Sequence, residues 1–161
     1  MSGDSKTGKS FMTHYLESLA PVERLHRLLL DVIKDEFERV GVIEINLVQA
    51  LLIFNIADNE VTAGELKSRG CYQGSNVSYN LKKLVGMGYM HHERCRADRR
   101  SVRVSLTDKG QHVRELVHEL FEGHADALQS EGVLHGTGVE VINEALRRIE
   151  QYWGKQIRFI Y

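Results

Sequence analysis

Apolar residues keep a helical spacing over most of this chain and switch to alternation in one short stretch. Val22, Leu25, Leu28, Leu29, Val32, Ile33, Phe37 and Val40 recur every three or four residues and predict an amphipathic helix. Pro21 suits the first turn of that helix, where a missing N–H costs nothing, and Gly41 suits its end. Asn46 is a good N-cap for a second helix reaching about Ala57, before the turn signal Asp58-Asn59. Thr62, with Glu65 three residues on, has capping-box spacing and predicts a short helix ending at Gly70. After Gly74-Ser75 another helix is expected, with Val77, Leu81 and Leu84 on one face and Gly86 and Gly88 at its end.

The period then changes. Residues 89–94 and 101–106 read as strands, because Val102, Val104 and Leu106 alternate with Arg103 and Ser105. Between them lies Cys95-Arg96-Ala97-Asp98-Arg99-Arg100, a charged loop, so the pair predicts a β-hairpin. Thr107 caps a long helix with Val113, Leu116, Val117, Leu120 and Phe121 on one face. A glycine-rich break at 132–138 precedes a last helix carrying Val139, Ile142, Leu146, Ile149 and Trp153. Residues 1–10 are polar and rich in Gly, Ser and Lys, and are expected to form a flexible tail.

The fold class expected is mainly α with a small β-hairpin wing (α+β): a winged helix-turn-helix with a helical dimerisation region. Its parts are the tail 1–10, N-terminal dimerisation helices over 11–45, a winged helix lobe over 46–107, and a long helix plus dimerisation helix over 108–161. The dimer is inferred from the ends of the chain. Phe11, Tyr15, Leu16, Leu19, Ile149, Trp153, Ile157, Phe159 and Ile160 are too many large apolar residues for a lobe of this size to cover, and a second copy can cover them.

With 161 residues, 42% of them hydrophobic, the chain has enough apolar side chains for a real core and too many for a disordered protein. No apolar run approaches the roughly 20 residues of a membrane helix. The N-terminus lacks the pattern of a secretion signal, and two cysteines, Cys71 and Cys95, make no disulfide framework. A cytoplasmic protein without membrane partners is expected. Net charge is −1, but its distribution is uneven. Nine basic and three acidic residues between Thr62 and Thr107 leave that segment at +6 and the remainder at −7. A basic middle between acidic ends is the electrostatic pattern of a DNA-reading module on another scaffold.

Double-stranded DNA is therefore the expected partner. The helix after Gly74 leaves Asn76, Tyr79 and Lys83 opposite its apolar stripe, flanked by Ser75, Ser78 and Lys82. The N-terminal residues of such a helix reach base edges in the major groove; Asn pairs with adenine and Ser with bases or phosphates. Lys82 and Lys83, nearer the C-terminal end, are placed for phosphates. In the hairpin loop Arg96, Arg99 and Arg100 are long cationic side chains of the kind that enter a narrow minor groove. Asp98 is expected to accept hydrogen bonds within the loop and fix its shape.

The run Asp98-Arg99-Arg100-Ser101-Val102-Arg103-Val104-Ser105-Leu106-Thr107-Asp108-Lys109-Gly110 resembles the wing motif of the MarR family, D-x-R, five residues, L-T-x-x-G, at every fixed position. Residues 75–84 are similar to that family's recognition helix, and Gly88-Tyr89-Met90 to its entry into the first wing strand. The resemblance covers about Val22 to Trp153, and within the family the alphaproteobacterial LdtR-type regulators look most similar. It implies a homodimer whose first helix and last two helices intertwine with those of the partner. Each recognition helix and wing would read half of a pseudo-palindrome, with half-sites about 10 bp apart. It also implies that Arg100 contacts DNA, that Asp98 holds the wing, and that a small-molecule effector acts where dimerisation helices meet the lobe. Tyr15, Leu47, Leu51 and Phe54 are the candidate effector-pocket residues. The chain departs from the family at Ile43-Glu44-Ile45, where a Leu-Thr segment is usual.

Three other motifs compete. Gly3-Asp4-Ser5-Lys6-Thr7-Gly8-Lys9-Ser10 fits the P-loop pattern, and Leu28-Leu29-Leu30-Asp31 mimics a Walker B strand, but no strand precedes the first and the second lies in a helical pattern. Neither an enzyme nor a cofactor is expected. His91, His92 and Cys95 are candidate metal ligands, with His112, His118 and His124 on another element; no metal site is assigned. Cys95 between Arg94 and Arg96, and Cys71 after Arg69, have neighbours that lower a thiol pKa, so a redox-responsive regulator is an alternative. A winged helix protein-interaction adaptor without DNA specificity is another.

Overall fold

Helical apolar spacing also holds upstream of Val22: Phe11, Tyr15 and Leu19 recur every four residues. In the computed structural model the first helix, α1, accordingly runs over Asp4–Val40 with Pro21 inside it. Two expectations are corrected by this. Residues from Asp4 to Ser10 are helical rather than a loose tail, and Pro21 does not open the helix. A proline removes one backbone donor, which a helix survives when apolar turns continue on both sides of it. The structure describes residues 4–56, 61–62, 74–94, 96–97 and 102–157, with side chains from Ser10 onward in α1 and from Val77 onward in the helix that starts at Gly74.

The chain divides after Leu47 into two compact units. The first is α1 with the segment following it. There Ile33, Phe37 and Ile45 are buried, and the Phe11 and Tyr15 rings stack with centroids 6.3 Å apart. Most of its other apolar side chains, including Phe11, Met12, Leu16, Leu25 and Leu28, are exposed.

The second unit holds α2 (Leu47–Asn55) from its second residue, β1 (Val61–Thr62), α3 (Gly74–Gly86), β2 (Met90–Arg94), β3 (Val102–Leu106), α4 (Asp108–Ser130) and α5 (Gly136–Gln156). The expected N-cap Thr62 instead lies in a strand. Val61-Thr62 pairs antiparallel with β3, Val61 opposite Val104 and Thr62 opposite Arg103, so the hairpin becomes a three-stranded sheet ordered β1-β3-β2. Two β-branched residues fit a pleated edge, and Val61 gains a buried place opposite buried Val104. The expected short helix, with Glu65 and Gly70, falls outside the described residues, as does the turn Asp58-Asn59. The glycine-rich break is shorter than expected, because α5 already begins at Gly136.

In β2 and β3, Met90 opposes Leu106, His92 opposes Val104 and Arg94 opposes Val102. Strand alternation puts Val61, Met90 and Val104 on one face, where all three are buried. The helices complete this core with Leu52, Ile53 and Ile56 around α2, Val77 and Leu84 from α3, and Val113 and Val117 from α4. Phe54 of α2 meets Phe121 of α4 edge to face, with centroids 5.2 Å apart. Residues of α5 take no part: none of them is buried.

One corner ties the sheet to two helices. Thr107, the N-cap of α4, accepts a hydrogen bond from the Gly110 N–H at 3.2 Å and donates its hydroxyl to the Gly88 carbonyl at 2.6 Å. Its backbone N–H donates to the Tyr89 carbonyl at 3.1 Å. Gly110 sits so close to that carbonyl that a Cβ there would overlap backbone atoms, which cannot rotate away. Gly110→Ala is therefore expected to destabilise the protein by about 1–3 kcal/mol, the range for overpacking a tight interior. Urea or thermal unfolding measures this, and an unchanged midpoint would contradict the close approach.

Candidate nucleic-acid interface

Helix α3 exposes a polar face because its apolar positions are confined to the other side. Val77, Leu81 and Leu84 are buried, whereas Ser78, Tyr79, Lys82 and Lys83 are exposed. Tyr79 keeps 59% of its surface open to solvent, a large fraction for an aromatic ring in a folded unit. The Lys83 ammonium lies 5.5 Å from the Tyr79 ring centroid, within cation–π range, so the two side chains share one patch. The backbone of Ser75 and Asn76 is in the first turn of α3, but their side chains lie outside the described residues.

The end of α3 is fixed by a Schellman motif. Gly88 has φ 82°, which L side chains rarely adopt; its N–H reaches the Val85 carbonyl at 3.1 Å, and the Tyr89 N–H reaches the Leu84 carbonyl at 2.9 Å. Buried Tyr89 then leads straight into β2. Lys109 reinforces the turn, with its ammonium 3.3 Å from the Met87 carbonyl and 4.3 Å from the Tyr89 ring centroid. Helix α3 and the strand β2 are thus joined by a rigid link rather than a free loop.

On the wing, Arg94, Arg96 and Arg103 are exposed, and Glu93 stands opposite Arg103 in the strand pairing. Among the described residues from Gly74 to Thr107, five are basic and Glu93 alone is acidic. Asp98, Arg99, Arg100 and Cys95 at the loop, and Cys71 before α3, lie outside the described residues, so their expected roles stay with the sequence.

The remaining candidates are scattered. Tyr15 is half-buried on α1 and Leu47 half-buried at the start of α2; Leu51 and Phe54 are half-buried within the second unit. His91 and His92 are exposed on β2, and His112, His118 and His124 are exposed on α4. Among the described residues no group of three His, Cys, Asp or Glu side chains is placed to hold a metal ion. From Asp4 to Ser10 the P-loop-like run is helical, and Leu28 to Asp31 lies within α1. Sequence reasoning passed over Gln49 and Asn80, which are both buried and hydrogen-bonded to each other across α2 and α3. The signal was available: Asn80 follows Val77 by three residues and precedes Leu84 by four, so it falls on the apolar stripe.

An exposed polar helix held against a small antiparallel wing defines a winged helix protein. The family described as Winged helix DNA-binding domain matches residues 45–110. The exopolysaccharide II synthesis transcriptional activator ExpG of Rhizobium meliloti (strain 1021) is 31% identical over 156 residues, covering 97% of this chain and 80% of that protein. A MarR transcriptional regulator from Methanosarcina mazei Go1 shares the fold with a TM-score of 0.66 at 21% identity, covering 84% of this chain and 95% of its own. Streptococcus pneumoniae FabT, solved in complex with DNA, superposes with a TM-score of 0.63 at 21% identity, covering 88% and 99%. The chain belongs to the same family of winged helix transcription regulators as ExpG, and its fold is that of the MarR regulators. Among the described residues no helix is long and apolar enough to cross a membrane.

Proposed function

We propose that this regulator reads pseudo-palindromic operators as a homodimer and that a small-molecule effector modulates its binding. The observation that carries the proposal is the exposed face of α3, where Ser78, Tyr79, Lys82 and Lys83 stand together beside a basic wing. A helix of this kind lies in the major groove, with hydroxyl and aromatic side chains toward base edges and lysines toward phosphates. Ser75 and Asn76, one turn nearer the N-terminus, complete the reading face. Arg96, Arg99 and Arg100 enter the flanking minor groove, and Asp98 shapes the loop that carries them. FabT offers a precedent, since the same fold was solved there with DNA.

Helix α5 supports the second copy. Val139, Ile142, Leu146 and Trp153 line one side of that helix, each 37–46% exposed, and Ile157 continues the line beyond its end. Away from that stripe Glu144 accepts from Arg148 Nε at 2.7 Å, and its carboxyl is held below the usual range by that guanidinium. An apolar stripe of that length on one chain is covered most simply by the same stripe on another. In the effector part of the proposal, Leu51 and Phe54 are apolar contact residues on α2, and Tyr15 and Leu47 are further candidates. The function is a binding one without a catalytic step, exercised in the cytoplasm.

Selection from random duplexes at moderate salt tests the reading. One enriched pseudo-palindrome, with half-sites about 10 bp apart, is expected; no enrichment by folded protein would defeat it. Arg100→Ala is expected to weaken operator binding by about 1–3 kcal/mol, and unchanged affinity would remove Arg100 from the interface. Lys83→Ala is expected to lower the slope of log K against log salt by about 1, as one lost phosphate contact requires. Sedimentation should find a dimer that Ile142→Glu/Leu146→Glu converts to monomer; a wild-type monomer bound to its operator would refute the homodimer.

A further inference from the structure

One polar residue interrupts the buried face of α3. Val77, Asn80, Leu81 and Leu84 all face the interior, and Asn80 is only 7% exposed. Opposite it, α2 buries Gln49 along with Ala50, Leu52 and Ile53. Gln49 Nε2 donates to Asn80 Oδ1 at 3.1 Å, joining two helices through side chains 31 positions apart in the chain.

An apolar pair of similar volume would fill this space without desolvating two amides. Apolar ridges, however, tolerate several rotations of one helix on another at similar energy, because dispersion contacts are many and weakly directional. A hydrogen bond is directional and weakens steeply when bent. A buried amide is also costly in any arrangement that leaves it unmatched. The same logic lets a single buried asparagine set the register of a coiled coil.

We propose that Gln49 and Asn80 are positioning residues that set the rotation of α3 about its own axis and thereby decide which base edges the neighbouring Tyr79 and Ser78 meet. A turn of about 20° carries a side-chain tip about 6 Å from the helix axis through about 2 Å. That displacement exceeds the tolerance of a hydrogen bond to a base, while a flexible lysine still finds its phosphate. The pair therefore acts on sequence preference and leaves general DNA affinity alone. This inference rests on the DNA-reading function proposed above.

The test compares the full-length protein with two double variants. Gln49→Met/Asn80→Leu replaces the pair by apolar residues of matched size. Gln49→Asn/Asn80→Gln exchanges the amides and keeps a hydrogen bond between them. The apolar pair is expected to fold, to hold random duplex within about twofold of wild type, and to lose about tenfold or more of its preference for the selected operator. The exchanged pair is expected to keep that preference. Backbone amide spectra give a readout without DNA: α3 resonances should be single in wild type and the exchanged pair, and doubled or broadened in the apolar pair. An apolar pair with wild-type preference and single sharp α3 resonances overturns the proposal. So does loss of preference in both pairs, or an apolar pair that does not fold, since the bond would then serve stability alone. A wild-type protein that enriches no operator would remove the DNA-reading function instead, and the α3 spectra would still decide the role of the pair.

Discussion

The Thr107 hydroxyl stands where the end of the recognition helix, the wing and the start of α4 converge, and it bonds in two directions at once. Each bond satisfies a backbone group that secondary structure leaves over: a first-turn N–H of α4 and the carbonyl of the turn residue Gly88. The Tyr89 carbonyl, taken up by the Thr107 N–H, closes the corner. Because Gly110 presses on that carbonyl, the helix start admits no side chain there. The L-T-x-x-G half of the wing motif is thus a joint. It aligns α4 with the strand that leaves the recognition helix, so displacement of α4 would be transmitted to the wing through backbone rather than through compliant side chains.

Much of this architecture was legible because it rests on short-range chemistry. Apolar spacing located α2, α3, α4 and α5 within a few residues, and the switch to alternation located the hairpin. Thr107 was recognisable as a cap because a threonine ahead of a helical stripe has few other uses. Partnering at a distance was not legible. Val61-Thr62 looked like a helix start, since nothing in those two residues announces a strand whose partner lies forty positions later. Pro21 looked like a beginning because local rules make it one; only the apolar stripe from Phe11 to Leu19 argues otherwise.

The exposed face of α3 was legible for a related reason. Once Val77, Leu81 and Leu84 are assigned inward, Tyr79 and Lys83 must face outward. The inward-facing polar residue was harder, because a sequence lists Asn80 without its partner, and a lone asparagine in a helix gives no sign of Gln49 on another. In the proposed function, recognition of DNA by this unit would accordingly divide its labour. Charge, spread over Lys82, Lys83 and the wing arginines, would supply attraction that any duplex satisfies, whereas choice among duplexes would depend on how rigidly an uncharged core holds the reading face.

A helix that buries none of its own residues, as α5 does, has little stability of its own to draw on. In the proposed homodimer its order would be supplied by the second copy, so its free energy of folding would include the chemical potential of that copy. For a regulator this makes abundance a structural variable. In the proposed homodimer, dilution would uncover α5 before the winged unit melts, and an exposed helix end is where proteolysis concentrates. The pool of regulator would then empty faster the smaller it became, sharpening the fall in occupancy beyond what binding alone would produce.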